Sequence, residues 1–149
     1  VALLEKMTVA DVFEPSEVTT VPASLQLGEI VQMVVSSRED YFPVLDSDRR
    51  FVGVISVNDV RQFTFDKDAY GLAIASDIMS SPPVFVTPKD DLHKALETFD
   101  AVRLDELPVV SAEDPHRLLG RLRRRAINRA YTRRLKELKE LQERAAGPR

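Results

Sequence analysis

The sequence predicts a mixed α/β (α+β) fold, in which two β-α-β-β-α repeats pack about a pseudo-twofold axis and a long basic helix follows. The first observation is a duplicated motif of two short apolar segments joined by a polar turn, at residues 42–59 and again at 107–126. Corresponding residues are 65 to 67 positions apart, as in Val18/Val84, Pro43/Pro108 and Gly53/Gly120. The second observation is size, because one such repeat alone buries too little apolar surface to be stable.

The composition is that of a globular protein that lacks the residue patterns of common catalytic and metal-binding sites. Of 149 residues, 44% are hydrophobic and 30% are charged. Cysteine is absent, which excludes thiolate chemistry, and the two histidines, His93 and His116, are not spaced as metal ligands. The sequence shows no nucleophile-base pattern and no glycine-rich phosphate loop. We therefore expect a non-catalytic protein without a required cofactor or metal.

Charge divides the chain into two parts. Residues 1–120 contain 10 basic and 21 acidic residues, a net charge of −11, whereas residues 121–149 contain 11 basic and 3 acidic residues, a net charge of +8. No apolar run approaches the roughly 18 residues of a membrane span. Because the chain starts at Val1 and ends at Gly147-Pro148-Arg149, we expect it to be a piece of a longer protein.

The first repeat is predicted from local signals in chain order. The Thr8–Asp11 spacing indicates a short lead-in helix over Val9–Phe13, and the β-branched run Val18–Val21 indicates a strand. Apolar residues at helical spacing predict a helix from about Ser24 to Ser37. After the two strands of the motif, Asn58 is expected to cap the helix that includes Val60 and Phe63.

The same order restarts after a connector at residues 66–75. Ser76–Met79 predicts a second lead-in helix, Val84–Val86 a strand, and Asp90 the cap of a helix over Leu92–Phe99. The second motif follows, so each half is expected to hold a mixed three-stranded sheet with helices on one face. The predicted boundaries are 1–65 for the first repeat with its lead-in helix, 76–131 for the second repeat, and 132–149 for the helix extension.

These residues resemble a tandem pair of cystathionine-β-synthase (CBS) domains, known as a Bateman module. The resemblance covers about residues 7–131 and depends on Pro43-Val44, Pro108-Val109 and Gly53-Val54-Ile55-Ser56 with Asp59. It implies a regulatory role and, by analogy with the fold alone, a homodimer. The segment Leu118–Leu122 and the basic run after it are similar to the end of the cytoplasmic CBS region in ClC-type chloride channels and chloride/proton antiporters. That similarity implies a membrane transport domain in the parent protein and a position on the cytoplasmic side of the membrane.

In ligand-binding CBS pairs, adenosine nucleotides lie in the cleft between the two repeats. Ser56 and Asp59 match the family pattern of a hydroxyl residue followed three positions later by an aspartate that accepts the ribose hydroxyls. The resemblance implies ATP, ADP or AMP as a ligand, with Val18, Thr19 and Ile55 near the base. The alternative for Asp59 is a carboxylate that only caps a helix. Arg123 and Ala126 occupy the corresponding positions of the second repeat, so we expect at most one nucleotide per chain.

The C-terminal segment from Arg121 to Ala146 is predicted to be helical, with one apolar stripe that includes Ile127, Tyr131 and Leu135. It is interpreted either as a closing helix on the core, as a contact with a partner subunit or transport domain, or as a contact with nucleic acid or anionic lipid, for which no recognised motif is present. The leading function is thus a regulatory CBS pair of a membrane ion transporter. The alternative is an accessory CBS pair of another transporter, a soluble enzyme or a nucleic-acid-associated protein.

Overall fold

The computed structural model describes residues 2–102 and 104–147, and it confirms the mixed α/β fold. The predicted boundaries also include Val1, Pro148 and Arg149, which lie outside the described residues, as does Arg103. No helix in the described ranges has both the length and the apolar character needed to cross a membrane.

The first half contains a three-stranded sheet in the order β1-β2-β3. Strand β1 (Val21–Pro22) is parallel to β2 (Tyr41–Leu45), and β2 is antiparallel to β3 (Phe51–Ser56). Helix α2 (Leu27–Ser36) covers this sheet, because its apolar residues Leu27, Ile30 and Val31 recur on one face and are buried. Helix α3 (Val57–Arg61) follows β3 directly, and a 3₁₀ turn at Lys67–Ala69 lies within the connector.

The second half is built in the same way but has a smaller sheet. Helix α5 (Leu92–Val102) precedes the antiparallel strands β4 (Glu106–Val110) and β5 (Leu118–Arg123), and the 23-residue helix α6 (Arg124–Ala146) follows β5. Only Val86, which forms a parallel bridge with Val109, stands in the place of the predicted strand Val84–Val86. The expectation of three strands in each half is therefore wrong for the described part of the second half.

Each lead-in segment packs on the half to which it does not belong in sequence. Helix α1 (Ala2–Lys6), which was not predicted, and the 3₁₀ turn Val9–Asp11 contribute Leu4 and Val9 to the core of the second half. Helix α4 (Ala75–Ile78) contributes Ala75 and Ile78 to the core of the first half. The two halves are therefore interwoven rather than simply adjacent.

Local predictions at the strand and helix starts need three corrections. The predicted strand Val18–Val21 is a strand only from Val21, because the segment before it turns to the second half, where Glu14 bridges Arg121 of β5. Ser56 rather than Asn58 is the N-cap of α3. The backbone N–H of Lys94 donates to Asp91 Oδ1 at 2.7 Å, so Asp91 rather than Asp90 caps α5.

Candidate functional site

A cavity of about 200 Å³ lies between the two halves at the point where β3 ends and α3 begins. Its lining combines two hydroxyls and one carboxylate with a mostly apolar wall. Most of the lining residues come from the second half and from residues 79–85, which lead into it and are called its approach segment. The lining residues are Val54, Ser56 and Asp59 of the first half, Ser80 and Val84 of the approach segment, and Val102, Leu104 and Pro108 of the second half.

Ser56 and Asp59 form a reciprocal capping box at the edge of this cavity. The backbone N–H of Ser56 donates to Asp59 Oδ2 at 2.8 Å, and the backbone N–H of Asp59 donates to Ser56 Oγ at 3.2 Å. Within the described residues, the second carboxylate oxygen, Oδ1, accepts no hydrogen bond. The helix cap and the cavity lining are thus compatible, because the cap uses only one of the two Asp59 oxygens.

The structure does not bring the other three predicted site residues to this cavity. Ile55 is fully buried in the core of the first half. Val18 lines a different cavity, beside Leu118, Leu119 and Gly120. Thr19, the residue after Val18, is exposed.

Six lining residues were not predicted from the sequence, namely Val54, Ser80, Val84, Val102, Leu104 and Pro108. A signal for Val84 existed, because it corresponds to Val18 with a spacing of 66 residues. Ser80 forms an antiparallel bridge with Val54, and this bridge brings the approach segment of the second half against β3 of the first. The residues that lie opposite Ser56 and Asp59 therefore come from the second half and its approach segment, and not from the segment at Val18 in the first half.

An ion-pair network around Arg121 lies at the corresponding position in the second half. Arg121 Nη1 donates to both Glu39 carboxylate oxygens at 3.0 Å, and its Nε donates to Glu14 Oε2 at 3.2 Å. Arg123 Nε lies 3.0 Å from Glu106 Oε1. Arg121 corresponds to Val54 and Arg123 to Ser56, so two arginines that pair with glutamates replace residues that line the first cavity.

Burial changes the ionisation of two groups near this network. Burial, with a smaller contribution from Glu39, raises the pKa of the Glu106 carboxyl, although Arg121 and Arg123 act in the opposite direction. Burial also raises the pKa of the Tyr41 phenol, and the neighbouring Glu106 carboxylate adds to the effect. Among the described residues, Tyr41 Oη has no hydrogen-bond partner. Among residues 2–102 and 104–147, no group of three or more His, Asp or Glu side chains is placed to hold a metal ion.

Two interwoven repeats with a cavity at their junction define a tandem-repeat module. The family model described as "CBS domain" matches residues 4–65 and 75–133, and the chain belongs to the CBS domain family. The pair of CBS domains predicted from the sequence is thereby confirmed.

Solved structures of a CBS-pair protein agree with this assignment, and one relative is similar over most of the chain. The "Methylated protein MJ0556" of Methanocaldococcus jannaschii is 25% identical over 121 residues, which are 80% of this chain and 68% of that protein. The CBS-pair protein CBSX2 from Arabidopsis thaliana superposes with a TM-score of 0.73 at 26% identity and covers 87% of this chain and 97% of its own. Its complex with AMP gives a TM-score of 0.71 and covers 85% and 97%.

The cytosolic domain of the Mg²⁺ channel MgtE in complex with ATP also shares the fold. It gives a TM-score of 0.65 at 21% identity and covers 87% of this chain and 50% of its own.

Proposed function

We propose that this protein is a non-catalytic regulatory module that binds an adenine nucleotide, AMP, ADP or ATP, in the cavity at Ser56 and Asp59. The observation that carries the proposal is the position of the Asp59 carboxylate at the edge of an apolar cavity between the halves. Asp59 Oδ1 would accept the ribose hydroxyls, and Val54, Val84 and Pro108 would contact the base. The AMP complex of CBSX2, a protein of the same fold with 26% identity, supports this class of ligand.

The size of the cavity indicates how binding would regulate. Its volume of about 200 Å³ is below the roughly 300–1,000 Å³ of sites that enclose a drug-sized ligand. A nucleotide that is wholly enclosed by this cavity therefore requires its walls to separate, and the walls belong to different halves. A ligand that binds the more open arrangement more tightly shifts the population toward it, which would be the regulatory output.

Calorimetric titration of ATP, ADP and AMP tests the proposal with two matched aspartate variants. Asp59→Ala removes the ribose acceptor, and we expect nucleotide affinity to fall at least about tenfold, as is typical for the loss of a charged hydrogen-bond partner. Asp77→Ala is the control, because Asp77 Oδ2 accepts the backbone N–H of Ile74 at 2.9 Å at the start of α4 and does not line the cavity.

Both variants lose a comparable helix cap, so a difference in binding reports on the cavity rather than on folding. Circular dichroism confirms that each variant is folded. No heat from any of the three nucleotides, or equal binding by wild type and Asp59→Ala, would sink the proposal.

We propose further that the module regulates a membrane ion transporter, of chloride-channel or chloride/proton-antiporter type, from the cytoplasmic side of the membrane and as a homodimer. The support is the similarity of Leu118–Leu122 and the basic helix after it to the end of the cytoplasmic CBS region in those transporters. Transmembrane segments in the reading frame before Val1 are the expected finding. A soluble enzyme or nucleic-acid-binding domain there would replace this proposal with the alternative.

A further inference from the structure

Another cleft, of about 350 Å³, lies between the 3₁₀ turn Val9–Asp11 and the first half of α6. Its lining is rich in arginine, with small apolar residues between the charged groups and two carboxylates on the side of the turn. These residues are Arg123, Arg125, Arg129 and Arg133, then Val12, Ala126 and Ala130, and Asp11 and Glu14. We refer to it as the arginine cleft.

Three of these arginines form a row on one side of α6. Arg125, Arg129 and Arg133 are spaced by four residues, so their side chains are neighbours on the helix surface. Like charges at this spacing destabilise a helix. In the described part of the chain none of the three forms an ion pair, whereas Arg121, Arg123, Arg124 and Arg134 all do. The row is therefore not explained by the stability of the fold.

The start of α6 adds to the positive potential of the arginine cleft. The first turn of α6 contains no acidic residue, and its N-cap, Arg123, makes no side-chain capping hydrogen bond. At the corresponding start of α3, Ser56 and Asp59 supply a cap and a negative charge. Ala126 replaces Asp59, so the positive end of the α6 dipole and the arginine row act on the same space.

We propose that the arginine cleft binds a compact ligand with two or more linked phosphates. Guanidinium groups bind phosphate oxygens through paired hydrogen bonds. Residues four apart on a helix are separated by about 6 Å along its axis, so one phosphate does not reach all three arginines and linked phosphates do. The net charge of −11 on residues 1–120 opposes a long polyanion that would run beyond the cleft.

A lipid surface is a poorer match for the same arginines. Membrane-surface helices place their basic residues beside an exposed apolar face that enters the bilayer. Here the apolar side of α6 next to the row is covered, since Ile127 is fully buried and Tyr131 packs on the core of the second half. The inference is independent of the nucleotide site at Asp59, because no residue lines both cavities.

Calorimetry with inorganic tripolyphosphate tests the proposal, with orthophosphate as the shorter ligand. We expect one tripolyphosphate per chain, much weaker binding of orthophosphate, and an affinity that falls as salt is added. Arg129→Ala should weaken tripolyphosphate binding at least about tenfold. Arg144→Ala is the matched control, because it removes the same charge from the far end of the same helix, outside the cleft, and should change the affinity less than about twofold.

Arg129 is exposed and alanine favours helix, so Arg129→Ala should fold, as circular dichroism would verify. Absence of tripolyphosphate binding by wild type overturns the proposal. Equal losses in Arg129→Ala and Arg144→Ala also overturn it, because they indicate diffuse attraction rather than a site. Asp59→Ala separates the two proposals, because it should weaken the binding of AMP, which has a single phosphate, at least about tenfold and leave tripolyphosphate binding unchanged. A loss of tripolyphosphate binding in Asp59→Ala would overturn the assignment of that ligand to the arginine cleft.

Discussion

Gly53 and Gly120 stand at corresponding positions of β3 and β5, and each lies where the lead-in segment of the opposite half crosses the strand. A Cβ atom on Gly120 would overlap the backbone carbonyl oxygen of Glu14. A Cβ atom on Gly53 would overlap mainly the side chain of Met79. Because a methionine side chain moves more easily than backbone, the two glycines differ in how strictly the fold requires them.

Gly120→Ala is predicted to lower the free energy of unfolding by about 2 kcal/mol or more, as is typical for overpacking. Gly53→Ala should have a smaller effect. Gly71→Ala is the control, because nothing lies within 4 Å of its added Cβ atom, and its effect should stay within about 0.5 kcal/mol. Urea denaturation of the three variants measures the differences. Equal stability of Gly120→Ala and Gly71→Ala would show that the crossing is looser than described.

Tyr41 gives a prediction for alkaline pH. Its side chain is buried, and its hydroxyl has no hydrogen-bond partner among the described residues. Burial raises the pKa of this phenol, so the folded state holds the proton more tightly than the unfolded state. The stability from this group is present below the ordinary tyrosine pKa of about 10 and is lost as the pH rises above it.

Tyr41→Phe should therefore weaken the loss of stability that wild type shows above about pH 10. At neutral pH it should be neutral or stabilising by about 1 kcal/mol, because a buried hydroxyl without a partner is removed. Denaturation curves between neutral and alkaline pH measure both effects. A marked destabilisation at pH 7 would show that the hydroxyl has a partner after all.

At the scale of elements, α6 consists of a packed part and a projecting part. Ile127 is fully buried against the second half, whereas Leu135 and Leu141 are 46% and 53% exposed. The apolar stripe predicted from the sequence is therefore present on α6, but only its residues in the first turns of the helix face the core.

Ile127→Ala is predicted to lower the free energy of unfolding by about 2–5 kcal/mol, the usual range for a large-to-small change in a core. Leu141→Ala, on the same helix, should change it by about 0.5 kcal/mol or less. Thermal or urea denaturation of both variants distinguishes them. A large effect of Leu141→Ala that depends on protein concentration would instead indicate that the projecting part packs on a second subunit.

At the scale of the whole molecule, Arg121 links three separate segments. Its guanidinium pairs with Glu14 of the first lead-in segment and Glu39 of the first half, and it lies 3.8 Å from Glu106 of the second half. The side chain is only 17% exposed, so its partners would be left with uncompensated, poorly solvated negative charge if it were removed.

Arg121→Ala is predicted to lower the free energy of unfolding by about 2–3 kcal/mol, less than for a fully buried pair because Glu14 remains partly solvated. Arg134→Ala is the control, since the Arg134–Glu137 pair is about half exposed on both sides and such pairs contribute about 0–1 kcal/mol. Urea denaturation compares the two variants. A similar, small effect of both would mean that the network does not hold the halves together.

Much of the fold was predictable because it depends on local periodicity. The apolar spacing of α2 and α5, the two strand pairs and the basic helix are all found near their predicted positions. The errors occur where tertiary contacts override local preference, as at Val18–Thr20, where β-branched residues find no partner strand because the segment turns to the second half. At the candidate site, the spacing of Ser56 and Asp59 was sufficient to predict these two polar residues but not the apolar residues that line the rest of the cavity.

The sequence by itself determined that the chain is duplicated, that each half contains a strand pair followed by a helix, and that only the first copy keeps Ser56 and Asp59. These features can be predicted from the order and spacing of residues along the chain. Only the tertiary structure decided that each lead-in segment packs on the opposite half, that Val84 and Pro108 rather than Val18 face Asp59, and that Arg121 occupies the second copy of the site. The physical reason is that both copies carry the same local pattern, so the choice of partner depends on contacts between segments distant along the chain.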